Sequence, residues 1–160
     1  MPVALGADHG GYRLKEEIRR YLEQKGLPVQ DFGVYSEDPA DYPDLAEKVA
    51  DAILDGRCSW GLLVCGTGIG MSIAANKIAG VRAALCHDSY TARMARAHND
   101  ANILVLGGRV LGGGSALEIV DAWLAATFTQ EERHRRRLAK IAALEHRKEK
   151  SHSDEHGADH

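Results

Sequence analysis

The sequence predicts an α/β protein: a five-stranded parallel sheet in a three-layer, doubly wound (Rossmann-like) arrangement, closed by a C-terminal helix. Two observations predict it. Short apolar runs of strand length alternate with longer segments of helical periodicity. The intervening segments are long enough for right-handed crossovers, which give a parallel sheet with both faces covered.

The elements follow in order. PVALGA (2–7) is a short apolar run bounded by glycine. YRLKEEIRRYLEQKG (12–26) places Leu14, Ile18, Tyr21 and Leu22 at helical spacing and stops at Gly26. PVQDFG (28–33) reads as a second strand. DYPDLAEKVADAILDG (41–56) reads as a helix with Leu45, Val49, Ala52 and Ile53 on one face. WGLLVC (60–65) and MSIAANKIA (71–79) are the third strand and helix, VRAALC (81–86) and SYTARMARAH (89–98) the fourth pair. NILVLG (102–107) is the fifth strand, and two helices, at 116–128 and 131–148, follow it. Residues 1–150 are expected to form one domain. SHSDEHGADH (151–160), with no aliphatic residue larger than alanine, is expected to be a disordered polar tail.

Composition narrows the function. At 160 residues, with 44% hydrophobic and 27% charged residues, the chain suits one soluble domain. A formal net charge of −3 argues against general affinity for nucleic acid or anionic membrane. No apolar run approaches the ~20 residues of a membrane span. The three cysteines, Cys58, Cys65 and Cys86, lack zinc-ligand spacing. With no signal peptide ahead of Val3, a reduced, cytoplasmic setting is expected.

Ligands of doubly wound sheets sit beyond the carboxyl ends of the strands, where strand order reverses. That rule selects Asp8-His9-Gly10-Gly11, Cys65 to Gly70, His87-Asp88 and Gly107-Gly108-Arg109. In CGTGIG, backbone N–H groups at a helix start suit an anion. A dinucleotide site is one reading, with Asp88 placed as its ribose-binding acid. Its spacing is G-x-G-x-G, however, and a thiol stands in its mouth. A lone buried cysteine is most often a small core hydrophobe. At a strand end facing a helix start, though, the thiolate is favoured, and it serves as nucleophile or base. Proton abstraction beside a carbonyl then needs donors for the enediolate oxygens. The N–H groups of residues 66–70 and the Thr67 hydroxyl are candidates. Asp8 reads equally as a turn or cap residue before Gly10-Gly11 or as a residue of the site, and Asn99 as a helix C-cap. RHRRR (133–137) reads as a solvated helix face or a nucleic-acid patch. Arg133 and Arg137, four apart, also suit one phosphate.

Taken together, these residues resemble the type B ribose-5-phosphate isomerases, a family that includes galactose-6-phosphate isomerase subunits. The matching motifs are Asp8-His9 with Gly11 and Lys15, Asp41-Tyr42-Pro43, CGTGIGMSIAANK, GVRAAL and HNDANILVLGGR. The resemblance implies reversible aldose–ketose isomerisation of a phosphorylated sugar through an enediolate, without metal or nucleotide cofactor. It implies Cys65 as the base moving a proton between C1 and C2, with Thr67 and the Gly66, Gly68 and Gly70 amides on the enediolate. Asp8 and His98 match residues of ring opening, and Asn99 a substrate contact. His9, Arg109, Arg133 and Arg137 match phosphate or sugar ligands. Some members carry a glutamate base where this chain has Met71, which leaves Cys65 as the candidate.

Helix geometry adds a constraint. Asp8 and Cys65 end strands, whereas eleven helical residues carry His98 roughly 16 Å back towards the opposite edge. A shared site therefore requires two subunits, and a homodimer with shared pockets is expected. A hexose 6-phosphate substrate, a nucleotide-binding regulatory module and a basic-helix RNA binder are the alternatives.

Overall fold

A strand buried on both faces must be apolar throughout, and three segments meet that condition. They are β1 (Val3–Ala7), β3 (Trp60–Cys65) and β5 (Ile103–Gly107), the buried centre of the sheet. The computed structural model describes residues 1–147; the tail expected at 151–160 lies outside the described residues. β2 (Val29–Asp31) and β4 (Ala83–Leu85) are edge strands, only partly buried and three residues each. Both are shorter than the six-residue runs read from the sequence. After β2 the chain stays beside β1, Phe32 and Val34 donating to Leu5 and Ala7, but without regular strand geometry.

The five strands are parallel in the order β2-β1-β3-β5-β4. β1 thus lies beside β3, as doubly wound sheets lead one to expect. Nothing in the sequence placed β5 between β3 and β4. Successive side chains of a strand face opposite sides. Leu62 and Val64 of β3 enter one core with Ile18, Leu22, Leu104 and Trp123, under α1 (Tyr12–Gln24), α4 (Ser89–Ala97) and α5 (Gly113–Ala125). Leu63 and Cys65 enter the other with Leu45, Val49, Met71 and Val105, under α2 (Tyr42–Leu54) and α3 (Ile69–Asn76).

α3 starts at Ile69, two residues before the helical pattern, because the glycine turn closes directly into it. α5 starts at Gly113, not Ala116. Its glycine-rich opening resembles a loop, yet a Cβ at Gly113 would collide with the Glu17 carboxylate of α1. α6 (Glu132–Glu145) turns back over the amino edge of the sheet. The linker before it is fastened to the end of α4: Thr129 N donates to Ala97 O at 3.0 Å, and the buried Arg96 donates to Ala126 O. Glu145 accepts from Gly80 N at 2.9 Å. Lys15, 1% exposed, ties α1 to the end of β2 through Asp31 at 2.7 Å.

Candidate active site

β1 and β3 are in register, Ala7 opposite Val64, so Asp8 and Cys65 emerge side by side at the carboxyl edge. α1 and α3 leave these strands towards opposite faces, which opens a crevice between them. Asp8 is buried and its Oδ1 accepts the Gly11 N–H at 3.1 Å, so it steadies the start of α1 while lining the crevice. The Nδ1 atom of His9 accepts the Ala40 N–H at 3.2 Å, which leaves the ring proton on Nε2.

The Cys65 thiol is 4% exposed and receives the Gly68 N–H at 3.1 Å. That bond exists because Gly68 takes φ +81, a left-handed conformation costly for a residue with a Cβ. Leu85 and the Leu106 backbone also fill the space a side chain would need there. Thr67 Oγ1 accepts from Ile69 N at 3.2 Å. The N–H groups of Gly66 and Thr67 have no acceptor among the described residues. The turn therefore presents unpaired donors beside a thiol already held by one.

Arg109 completes this edge. Its N–H donates to Gly66 O at 2.9 Å, Gly108 N donates to Cys65 O at 2.8 Å, and the guanidinium lies over Gly66. His9, Gly10, Arg13, Glu37, Gly108 and Arg109 line a cavity of about 390 Å³. A neighbouring one of about 550 Å³ is bounded by Asp8, His9, Ala40, Asp41 and Tyr42. The two share His9.

The remaining expected residues lie at the opposite edge. His98 caps the C-terminus of α4, and Asn102, a few residues on, accepts from Gly61 at the start of β3. Cys65 ends that strand, four residues and so about 13 Å away. The His98 ring stacks on His134, with centroids 4.3 Å apart and planes at 14°. Asn99 lines a cavity of about 660 Å³ with Asn76, Lys77, Arg82, Ile141 and Leu144. Arg133 is paired with Glu131 at 2.9 Å. One chain thus gathers Asp8, His9, Cys65, Gly66, Thr67, Gly68, Gly70 and Arg109 at one edge, and His98, Asn99, Arg133 and Arg137 at the other.

Two neighbours of the site escaped the sequence reading. His134 is 5% exposed and its Nε2 has no hydrogen-bond partner among the described residues. Burial pushes its pKa down, and the charges of His98 and Arg133 push it further. Within RHRRR its neighbours' charge hid it. Tyr42 lies against Gly70, so Gly70 is small to admit a phenol ring as well as to offer its amide. Its signal was present in Asp41-Tyr42-Pro43. Asp88, placed by the dinucleotide reading as a ribose ligand, instead caps α4 through Thr91 N at 2.7 Å. The Thr91 bonds hold its carboxyl below the usual range. Among the described residues, no helix is long and apolar enough to cross a membrane.

The profile of the ribose/galactose isomerase family matches residues 3–141, which spans both edges of the sheet. The chain belongs to this family. It is 47% identical over 146 residues to ribose-5-phosphate isomerase B of Escherichia coli strain K12, covering 91% of this chain and 97% of that one. It is 51% identical over 132 residues to D-erythrulose-4-phosphate isomerase of Pectobacterium atrosepticum, covering 80% and 85%. The solved ribose-5-phosphate isomerase B of Clostridium thermocellum superposes with a TM-score of 0.89 at 53% identity, over 91% of this chain and 98% of that one. The chain is accordingly an isomerase of the ribose-5-phosphate isomerase B type.

Proposed function

We propose that this isomerase interconverts ribose 5-phosphate and ribulose 5-phosphate through an enediolate, with Cys65 as the base. The observation that carries the reading is the Gly68 N–H held on the Cys65 sulfur at 3.1 Å, beside the unpaired amides of Gly66 and Thr67. A donor on the sulfur fixes its direction in the turn, and unpaired donors beside it meet the charge that proton abstraction creates.

The steps follow from these positions. As the furanose opens, the Asp8 carboxylate takes the proton of the C1 hydroxyl and the partner subunit's His98 gives one to the ring oxygen. The Cys65 thiolate then removes the C2 proton of the open aldose. The electron pair passes to O1, whose charge rests on the amides of the glycine turn. Transfer of the O2 proton to O1 and return of the thiol proton to C1 yield the ketose and restore the thiolate. His9 and Arg109 hold the substrate from one chain, Asn99, Arg133 and Arg137 from the other. A homodimer brings the two edges together. Ile69 and Ile73 of α3, 55% and 58% exposed beside the site, supply an apolar surface for that contact. This chemistry belongs to pentose phosphate metabolism in the cytoplasm, where Cys58, Cys65 and Cys86 stay as free thiols.

A second reading keeps the mechanism and changes the sugar: a tetrose phosphate, favoured by the similarity to the Pectobacterium enzyme, or a hexose 6-phosphate. Purified protein assayed on four-, five- and six-carbon sugar phosphates tests the substrate, and the pentose is expected to give the highest kcat/KM. Cys65→Ala tests the base: kcat should fall at least ~100-fold with KM little changed. More than a tenth of wild-type kcat would remove Cys65 from that role.

A further inference from the structure

An imidazole at the end of a helix turns about its side-chain torsions unless something holds it. His98 is the C-cap of α4 and is half-buried. The hydrogen bonds around this helix end belong to other groups: Arg96 donates to Ala101 O and Ala126 O, and Thr129 N to Ala97 O. None of them engages the His98 ring. What meets it is His134, in the first turn of α6, with ring centroids 4.3 Å apart and planes at 14°. The chain reaches that turn through Gln130, whose φ of +63 lies in the left-handed region that a residue with a Cβ seldom takes. His134 itself is 5% exposed, so its ring has little room to swing aside. Burial first, and then the charges of His98 and Arg133, favour its neutral form, so the stack persists when His98 carries a proton.

We infer that His134 is a positioning residue for ring opening: its buried imidazole holds the His98 ring in the plane from which His98 gives a proton to the ring oxygen of the sugar. The inference rests on the ring-opening step assigned to His98 above. His134 touches neither the sugar nor the proton in transit, and no bond to it forms or breaks. Its contribution is orientation. A donor free to turn is aligned with the ring oxygen for only part of the time, and a misplacement of about 1 Å can cost about 100-fold in rate.

His134→Ala removes the stack. Its kcat on ribose 5-phosphate is expected to fall about 10- to 100-fold, with KM within about threefold. His134→Phe keeps a flat ring against His98 and should retain kcat within about fivefold. A double-mutant cycle with His98→Asn separates positioning from a general shift of α6, which also carries Arg133. His98→Asn removes the group that His134 steadies, so adding His134→Ala to it should cost no more than about twofold. An equal loss from His134→Ala with and without His98, as a folding defect would give, overturns this assignment alone. So does a His134→Ala kcat within about twofold of wild type, or a His134→Phe enzyme no better than His134→Ala. An undiminished kcat in His98→Asn overturns it together with the ring-opening step.

Discussion

At the carboxyl edge the candidate groups are placed by backbone, whereas at the amino edge they are side chains on helix ends. Cys65 ends a strand paired on both sides, its sulfur is held by the Gly68 amide, and Arg109 is fastened to Gly66 through its own N–H. His98 stands at the last turn of α4, and among the described residues Arg133 is bonded only to Glu131, a neighbour on its own segment. The first arrangement leaves little freedom and suits a step in which charge must be met without reorganisation. The second suits binding, where a long cationic side chain adapts to a phosphate. The proposed mechanism therefore puts proton abstraction at the edge that backbone holds in place.

That contrast yields tests in decreasing order of effect. Largest is complementation between edges. Cys65→Ala and His98→Asn proteins, each nearly inactive, are mixed under conditions that exchange subunits. Random pairing makes about half of the dimers mixed, each with one intact pocket, so activity should recover to roughly a quarter of wild type. Activity no higher than the average of the two variants, with exchange confirmed, would place both residues in one chain's pocket.

A smaller effect belongs to the binding edge. Arg137→Ala should mainly raise KM, because phosphate contacts are kept along the reaction path. A charge-assisted bond of about 1.5–3 kcal/mol corresponds to a loss of roughly 10- to 150-fold in kcat/KM. Arg135→Ala, on another face of α6, is the control. Equal damage from both would show that the basic cluster acts as a diffuse field.

The smallest effect is on stability. Folding lowers the affinity of His134 for a proton, chiefly by burial and further by His98, Arg133 and Arg137, with Glu131 opposing. The unfolded chain therefore binds that proton more readily. The contribution of neutral His134 is complete above the unfolded value, about 6.5, and declines as pH falls below it. The melting temperature should drop between pH 7.5 and 5.5, and His134→Gln should drop less. An equal drop in both would move the pH sensitivity elsewhere.

The fold class, the strand and helix order, and the strand ends at which the candidate residues gather were legible in the sequence by itself. Each rests on local rules: alternating runs such as WGLLVC and MSIAANKIA, glycines that strip a turn of side chains, a cysteine at a strand end. Even the separation of His98 from Cys65 followed from helix rise, because it needs only the direction in which a crossover helix runs. Tertiary structure alone decided the insertion of β5 between β3 and β4, the ring of Tyr42 on Gly70, and the stack of His134 on His98. The physical reason is common to all three. Each is a contact between segments distant along the chain, fixed by how helices settle on a sheet, and local periodicity carries no term for it.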